Sequence, residues 1–411
     1  MHAPKNQASK PLLLFMLIVA SSVGSLTMLV LIPGIPGIQS SFGVSYAAAQ
    51  LALTTYLVAL AAGQLVFGPL SDTIGRRPVM VASISIFALG GMIGALAPSL
   101  PVLLLARVLQ GIGACGAMVL SRAIVADIYK GNKAASVLGY VIMAWSTIPM
   151  FGPLVGSVLT ENFGWRAILW FTAIFGLALL PLVYFRLAET NFDRIPFKGG
   201  GLLLKETAEL VGNRMFFTNT VHVGATAFAF YAFMAGSAII ASQMGGSGMV
   251  YGLYFLLVAG GYTVGNLITG MLASRIGSRP LIIIGASIVL AGASVTFAMF
   301  MVDAATFLGF FGVMTIFAFG CGLLVPTGIS AATGARPRLA GTASALTGSL
   351  QMALGGLATL VIGILQPDHM IATASAMLIG ASIVFVAALL TPRLSTTTGG
   401  KPVSTEGDTS R

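Results

Sequence analysis

The sequence predicts an all-α integral membrane protein whose twelve transmembrane helices form two pseudo-symmetric halves of six helices each. Two observations predict this fold. Hydrophobic residues make up 57% of the 411 positions and charged residues 8%, which is more apolar surface than a water-soluble core of this length can bury. The segment 63–78 also recurs without gaps at 265–280, identical at eight of sixteen positions. Such a duplication is typical of transporters that bind their cargo between two halves.

Twelve apolar runs are each long enough to cross about 30 Å of hydrocarbon as a helix. We number them as spans 1 to 12, at 12–33, 47–70, 78–97, 101–121, 135–159, 166–185, 216–242, 249–273, 281–301, 304–329, 340–364 and 370–391. They predict a cytoplasmic N-terminal tail (1–11), a first six-helix bundle (12–186), a cytoplasmic linker (187–215), a second bundle (216–392) and a disordered cytoplasmic tail (393–411). The linker has a glycine hinge and a helical pattern, LLLKETAELV, which favours one interfacial helix.

The distribution of basic residues predicts the topology. The two tails and the loops after even-numbered spans hold nineteen of the twenty-one Lys and Arg residues, so we expect both termini in the cytoplasm of a bacterial cell, with the chain in its inner membrane. The net charge of +10 follows from this bias and not from a nucleic-acid-binding face. Cys115 and Cys321 lie inside spans, which suggests neither a disulfide framework nor a metal site. We expect no cofactor and a monomer in the lipid bilayer.

The turn between spans 2 and 3 concentrates small and charged residues. They are Gly68, Asp72, Gly75, Arg76 and Arg77. Gly68 permits close helix approach and Gly75 a turn at positive φ. Asp127, at the end of span 4, is the nearest available partner for Arg76. Positive-inside charge alone would explain an isolated Arg pair, but the repetition 202 residues later favours a mechanistic role. In the second copy Ser274 replaces the acid, which predicts a weaker contact there.

Arg107 is the residue whose charge is energetically most unfavourable in the membrane. It lies roughly 9 Å into the bilayer if span 4 starts near Pro101. A cation at that depth costs about 2.5 kcal/mol or more unless it faces the protein interior. The alternative is that Arg107 snorkels toward the outer interface. Gln110, one turn further along, shares its face and could bond to Arg107 or to a substrate.

Several segments resemble a known family of transporters. GPLSDTIGRRP resembles the loop 2–3 signature of the major facilitator superfamily, RVLQGIGACG its helix 4 motif, and FGPLVG the helix 5 motif of its drug antiporters. Three further segments, LSRAIVADIY, YAFMAGSAII and AGTASALTGSLQ, resemble the Bcr/CflA drug-resistance transporters. The resemblance covers about residues 12–390 and implies the major facilitator fold.

The resemblance also implies roles for residues at the matching positions. Asp72 would face the start of helix 11 near Gly341 and Thr342, and Arg76 would pair with Asp127, so that the cytoplasmic side is latched in the outward-open state. The helix dipole favours a carboxylate at that position. Arg107 would be a coupling or substrate residue. The motif on helix 5, which favours an antiporter, consists of Gly152, Pro153 and Gly156.

One departure from the family pattern concerns the proton. Relatives commonly carry an acid in helix 1, but Leu29 stands at that position here, and no carboxylate lies deep in any span. His222 is the only group inside a span whose ordinary pKa is near neutrality. A lone histidine in a helix is more often a hydrogen-bonding structural residue. Proton coupling is therefore implied by the resemblance, without the usual acid.

We expect a mostly apolar cavity between the halves, although core packing explains any single candidate equally well. The candidate lining residues are Ser21, Ser25, Tyr56, Trp145, Phe228, Tyr231 and Met234. The sequence and the resemblance together favour a transporter that exports small amphiphilic or drug-like molecules by alternating access, in exchange for protons. The alternative is an exporter or facilitator of a single metabolite, such as an amino acid, peptide or siderophore, without proton coupling. No nucleophile motif or metal-spaced cluster in the sequence supports an enzyme.

Overall fold

The computed structural model describes residues 10–129, 148–192, 194, 200–365 and 370–392. Within these ranges the chain folds into α-helices joined by short turns, with no β-strand. The α-helices are α1 (Lys10–Leu31), α2 (Ile35–Phe42), α3 (Tyr46–Ile74), α4 (Arg76–Ala95), α5 (Leu100–Ile128), α6 (Gly152–Phe163), α7 (Arg166–Arg186), α8 (Gly200–Val211), α9 (Arg214–Gln243), α10 (Gly248–Ile276), α11 (Ser278–Met301), α12 (Phe307–Gly334), α13 (Ala340–Leu365) and α14 (Met370–Leu390). Short 3₁₀ turns occupy Ile32–Gly34, Ile148–Phe151 and Pro337–Leu339.

Eleven membrane spans are found among the described residues, judged by length and hydropathy. The first of them, Pro11–Phe42, combines α1, the turn after it and α2. Span 5 of the sequence falls largely on residues 130–147, outside the described ranges, and α6 supplies its second part. The predicted fold class is confirmed by this arrangement and by its internal symmetry.

The duplication is visible in the helix boundaries. Gly75 separates α3 from α4 with φ of 115°, and Gly277, 202 residues later, separates α10 from α11 with φ of 81°. Both values lie in the region that glycine adopts without steric cost. Ser45 caps α3 by accepting the N–H of Ala48 at 3.2 Å, and Ser247 caps α10 in the same way at 3.3 Å. The two copies therefore share turn geometry and capping as well as sequence.

Helix packing repeats in the same way. In the first half α5 packs against α1, α3 and α4, and α4 packs against α7. In the second half α12 packs against α9, α10 and α11, and α11 packs against α14. Small residues permit these approaches: a Cβ at Gly113 of α5 would collide with the backbone of Ser83 and Phe87 in α4. Each half thus has its own close-packed interior.

The two halves meet along α3 and α13 and along α6 and α10. Near the start of α3, the Tyr46 hydroxyl and the Gln50 amide donate to the Ala235 carbonyl at 2.6 and 3.0 Å. Further along, the hydroxyls of Thr54 and Thr359 are 2.7 Å apart. At the same end as Tyr46, Glu161 of α6 accepts the N–H of Met249 at 2.9 Å.

The interface weakens toward the other end of α3. Gln64 still packs on Gly348 of α13, but Gly68 and Gly341 both face open space. Hydrogen bonds between the halves are thus concentrated where α3 begins, whereas Gly68, near the charged turn where α3 ends, has open space beside it.

One sequence boundary was wrong by two turns. The prediction ended span 4 at residue 121, whereas α5 continues to Ile128. Arg122 was counted with the following loop, but it lies inside the helix and is partly buried. The helix continues because the segment after Ser121 has neither proline nor glycine before Gly131.

Candidate functional site

A cavity of about 90 Å³ lies between the two halves. α1 and the turn before α6 form one side, and α9, α10, α12 and α13 form the other. Its lining residues are Ser25, Met28, Leu29, Pro149, Met150, Thr226, Ala227, Phe230, Tyr231, Met234, Tyr262, Cys321, Val325, Gln351 and Met352. The lining is dominated by methionine and aromatic side chains, and none of its described residues carries a charge. Such a surface accommodates apolar molecules of varied shape.

Three of the predicted lining residues, Ser25, Tyr231 and Met234, do line the cavity. Ser21 and Tyr56 instead turn into the first half, where the Ser21 hydroxyl donates to the Ile18 carbonyl and the Tyr56 hydroxyl donates to the Gly24 carbonyl. Phe228 is partly buried and is absent from the described cavity wall. Trp145 lies outside the described residues.

Sequence reasoning missed several lining residues. Phe230 and Tyr262 stack with ring centroids 6.1 Å apart and form an aromatic wall. Gln351 could have been predicted from the sequence, because it is the only long polar side chain in span 11. A polar group in a membrane helix has an unfavourable transfer free energy unless it faces the protein interior. Leu29 also lines the cavity, so the position at which the family resemblance led us to expect an acid faces this space.

Arg107 is completely buried in the first half. Its Nε donates to the Ala52 carbonyl at 3.0 Å and its Nη1 donates to Gln110 Oε1 at 2.5 Å. The guanidinium lies 4.1 Å from the ring centroid of Tyr56, and Gln110 donates in turn to Thr172 of α7 at 3.0 Å. Nη2 has no partner among the described residues. Snorkelling to the outer interface is therefore wrong, and Arg107 lies behind the described cavity wall.

The charged turn after α3 forms a compact ionic cluster. Arg76 bonds to Asp72 at 2.7 Å and to Asp127 of α5 at 3.0 Å. Arg77 donates to the Tyr184 carbonyl at 2.8 Å and lies over the Tyr184 ring. The expected Arg76–Asp127 pair is thus present. In this conformation Asp72 turns to Arg76 and not to the start of α13.

A different carboxylate occupies the start of α13. Thr342 donates to Glu206 of the linker helix α8 at 2.6 Å. Glu209, one turn further along α8, bonds to Arg338 at 2.9 Å. The linker helix is therefore attached to the second half at the position where the family resemblance placed Asp72.

Glu189, at the start of the linker, was not among the predicted site residues. Its carboxylate accepts the backbone N–H groups of Arg76 at 2.8 Å and Arg77 at 3.2 Å, at the first turn of α4. It also accepts those of Thr190 and Asn191. Burial opposes ionisation, but these four donors together outweigh it and hold the pKa of Glu189 below its usual value. Only a folded contact, and no local sequence signal, identifies this residue.

His222 is buried in α9 and is not among the described residues that line the cavity, although its carbonyl accepts from the lining residue Thr226 at 2.7 Å. Its Nε2 is 3.2 Å from Asn219 Oδ1, and Gly328 of α12 packs against the ring. Nδ1 has no partner among the described residues. The geometry is that of a histidine enclosed in the second half.

The helix 5 motif brings α6 close to α1. A Cβ at Gly156 would collide with the Val30 carbonyl, and one at Gly152 would lie 2.7 Å from the Leu29 Cβ. Pro153 occupies the first turn of α6, where its missing N–H costs nothing. The motif therefore fixes the wall of the cavity that contains Leu29.

The geometry of two repeated bundles around a central cavity agrees with a comparison to known families. Residues 14–360 match the model of the Major Facilitator Superfamily. The chain belongs to that superfamily. A chloramphenicol resistance protein from Pseudomonas aeruginosa is 30% identical to this facilitator over 84% of the chain and 82% of that protein. A bicyclomycin resistance protein homolog from Haemophilus influenzae (strain ATCC 51907 / DSM 11121 / KW20 / Rd) is 26% identical over 82% of this chain and 85% of that protein.

The fold of this facilitator is similar to that of a D-xylose-proton symporter of known crystal structure. The two superpose with a TM-score of 0.73 over 93% of this chain and 97% of the symporter, at 16% identity. The family and the fold are those of membrane transporters that bind small molecules, and the resemblance to drug-resistance transporters is confirmed.

Proposed function

We propose that this facilitator exports small amphiphilic or drug-like molecules from the cytoplasm by alternating access, in exchange for protons. The observation that carries the proposal is the cavity between the halves, with its methionine and aromatic lining and few polar groups. Relatives named for chloramphenicol and bicyclomycin resistance support it. We place the chain as a monomer in the bacterial inner membrane, with both termini in the cytoplasm.

The uneven contact between the halves supports the alternating-access part of the proposal. With the proposed topology, the end of α3 that bears Asp72 faces the cytoplasm, so the conformation described is open to the inside. Closure at this end would bring Asp72 toward the start of α13, where Gly341 now faces open space. The same closure would require Glu206 to leave Thr342. The turn and the linker helix thus compete for one helix end.

The proton is assigned by elimination. An arginine does not release its proton at accessible pH, so Arg107 can only bias the field around another group. Asp127 and His222 are the two groups we propose for titration. Asp127 is favoured by its position. It bonds both to Arg76 of the charged turn and to the Thr190 hydroxyl of the linker, each at 3.0 Å. Its protonation would loosen both contacts at once.

The rival function is a dedicated facilitator of one metabolite without proton coupling. One observation favours it, namely that no described residue of the cavity wall can take up a proton near neutral pH. A narrow substrate profile would distinguish this rival from a drug exporter.

The test is expression in an efflux-deficient bacterium, with resistance measured against a panel of structurally unrelated compounds. We expect resistance to several amphiphilic compounds, and loss of that resistance in the Gly156→Leu variant, which blocks the contact of α6 with α1. The variant must reach the membrane at the wild-type level. Metabolomics of the medium runs in parallel. Export of a single metabolite with no gain of resistance would contradict the proposal and support the rival.

A further inference from the structure

The described wall of the cavity offers no counterion for a positively charged substrate. None of the described lining residues is acidic, and residues 130–147, which lie outside the described ranges, contain no Asp or Glu. In the sequence, the eleven acidic residues of the chain all fall near the ends of the apolar spans, between spans, in the linker or in the C-terminal tail. They are Asp72, Asp127, Glu161, Glu189, Asp193, Glu206, Glu209, Asp303, Asp368, Glu406 and Asp408.

A buried positive charge lies one layer behind the cavity. The Arg107 guanidinium stacks on Tyr56, the Tyr56 hydroxyl donates to the Gly24 carbonyl at 2.7 Å, and Gly24 precedes the lining residue Ser25. In the described part of the chain, Arg107 forms hydrogen bonds only to a carbonyl and an amide oxygen, with no carboxylate partner. Its charge is therefore not neutralised locally, and the low dielectric of the interior carries its field further than water would.

The polar groups that do face the cavity suit an uncharged molecule. Ser25 lies on α1 and Gln351 on α13, so the two halves each contribute a hydrogen-bond donor. No intramolecular hydrogen bond of either side chain occurs among the described residues. A hydroxyl and an amide can donate to a carbonyl, nitro or phosphoryl oxygen, while the stacked rings of Phe230 and Tyr262 contact an aromatic group.

We propose that this cavity binds uncharged aromatic amphiphiles with a hydrogen-bond acceptor and rejects lipophilic cations of the same size. A cation would lose its hydration without gaining an opposite charge, and it would be repelled by Arg107. Leu29 is the residue that sets this preference, because it occupies the wall at a point where a carboxylate would supply the missing charge. The inference rests on the proposed function and narrows its substrate class.

A matched pair of probes tests the inference. Triphenylphosphine oxide is neutral and has a phosphoryl acceptor, whereas methyltriphenylphosphonium has nearly the same size and a fixed positive charge. Binding of each probe is measured on the purified full-length protein by isothermal titration calorimetry. We expect the wild type to bind the oxide at least about tenfold more tightly than the cation, given the cost of an unpaired charge in the membrane interior.

Substitution of Leu29 provides the second arm. Leu29→Asp places a carboxylate in the cavity and is expected to raise the affinity for the cation at least about tenfold. Leu29→Asn is the matched control, with similar size and polarity but no charge, and is expected not to do so. Thermal unfolding of both variants checks that the contact with Gly152 tolerates the change. The comparison of the two probes on the wild type remains decisive if a variant is unstable.

The outcomes separate this inference from the proposed function. Equal wild-type affinity for both probes, or tighter binding of the cation, overturns the inference while a broad resistance profile still supports drug export. Binding of neither probe also overturns it. Absence of resistance to every compound in the panel counts against the proposed function, whatever the calorimetry shows.

Discussion

Arg107 shows how one residue can combine burial with an unbalanced charge. Its guanidinium contacts the Ala52 carbonyl, the Gln110 amide oxygen and the face of the Tyr56 ring, which stabilise a cation without neutralising its charge. A hydrophobic residue would fold at this position at lower cost. The arrangement is therefore better explained by a role in transport than by a contribution to stability.

We expect Arg107→Ala to abolish export while expression and membrane insertion remain at wild-type level. Arg107→Lys should restore little export. The planar guanidinium donates to both Ala52 and Gln110, and a compact ammonium cannot reproduce this pair of hydrogen bonds. Uptake into inverted membrane vesicles measures the loss, and the amount of protein in the membrane is the control. Export retained by Arg107→Ala would contradict the assignment.

The candidate site was predictable from the sequence only in part. The burial of Arg107 follows from the cost of a charge in lipid, and the Arg76–Asp127 pair follows from the order of the spans. Tyr56 was assigned to the cavity because hydrophobic patterns do not distinguish the interior of one bundle from the space between two bundles. Glu189 was missed because its role depends on a contact across more than a hundred residues.

The two ends of the linker act on different elements. Residues 189–191 bind the first turn of α4 and the end of α3, whereas α8 binds the start of α13. Glu189 and Glu206 accept from the N–H groups of α4 and the Thr342 hydroxyl, and the Asn191 amide donates to the Asp72 carbonyl at the end of α3. The linker is therefore a structural part of both halves at the end of the molecule that bears the charged turn.

We expect Glu189→Gln to lower the free energy of unfolding by roughly 1 kcal/mol at neutral pH, because the amide is a weaker acceptor for N–H groups at a helix start. The folded-state pKa of Glu189 is depressed, so its contribution is present above the ordinary glutamate pKa and is lost as pH falls through the folded value. The difference between wild type and variant should thus disappear in acid. Thermal unfolding across a pH series measures it, and a constant difference would be inconsistent with this role.

Substitutions of Asp72 and Glu206 should have opposite effects on opening at the end of the molecule that bears the charged turn. Asp72→Asn should increase the population open at the cytoplasmic end, because the contact with α13 that it loses forms only on closure. Glu206→Gln should decrease that population, because it weakens the bond to Thr342 found in the open conformation. Double electron–electron resonance between labels at Thr73 and Ala335 measures both. The competition would be excluded by unchanged distance distributions in the two variants.

At the scale of the whole molecule, the duplication determined most of the fold. The offset of 202 residues recurs in the structure, in the turns at Gly75 and Gly277 and in the caps at Ser45 and Ser247. The conformation could not be predicted in this way, because both states bury nearly the same apolar patterns. The conformation is indicated only by the contacts between the halves, which we find from Tyr46 to Gln64 of α3 but not at Gly68.

The energy source is the last property to be tested at this scale. In proteoliposomes of uniform orientation, a proton gradient opposed to substrate flux should drive accumulation of a neutral amphiphile above the external concentration. Asp127→Asn should flatten the pH dependence of this accumulation and leave downhill exchange intact, since it removes the carboxylate that we propose carries the proton without closing the cavity. His222→Gln is the matched comparison, because His222 lies in the second half, where its ring bonds to Asn219. Loss of pH dependence in only one of the two variants identifies the group that carries the proton. If a gradient of about two pH units, worth roughly 2.7 kcal/mol per proton, leaves wild-type accumulation unchanged, the protein is an uncoupled facilitator and the exchange mechanism is wrong.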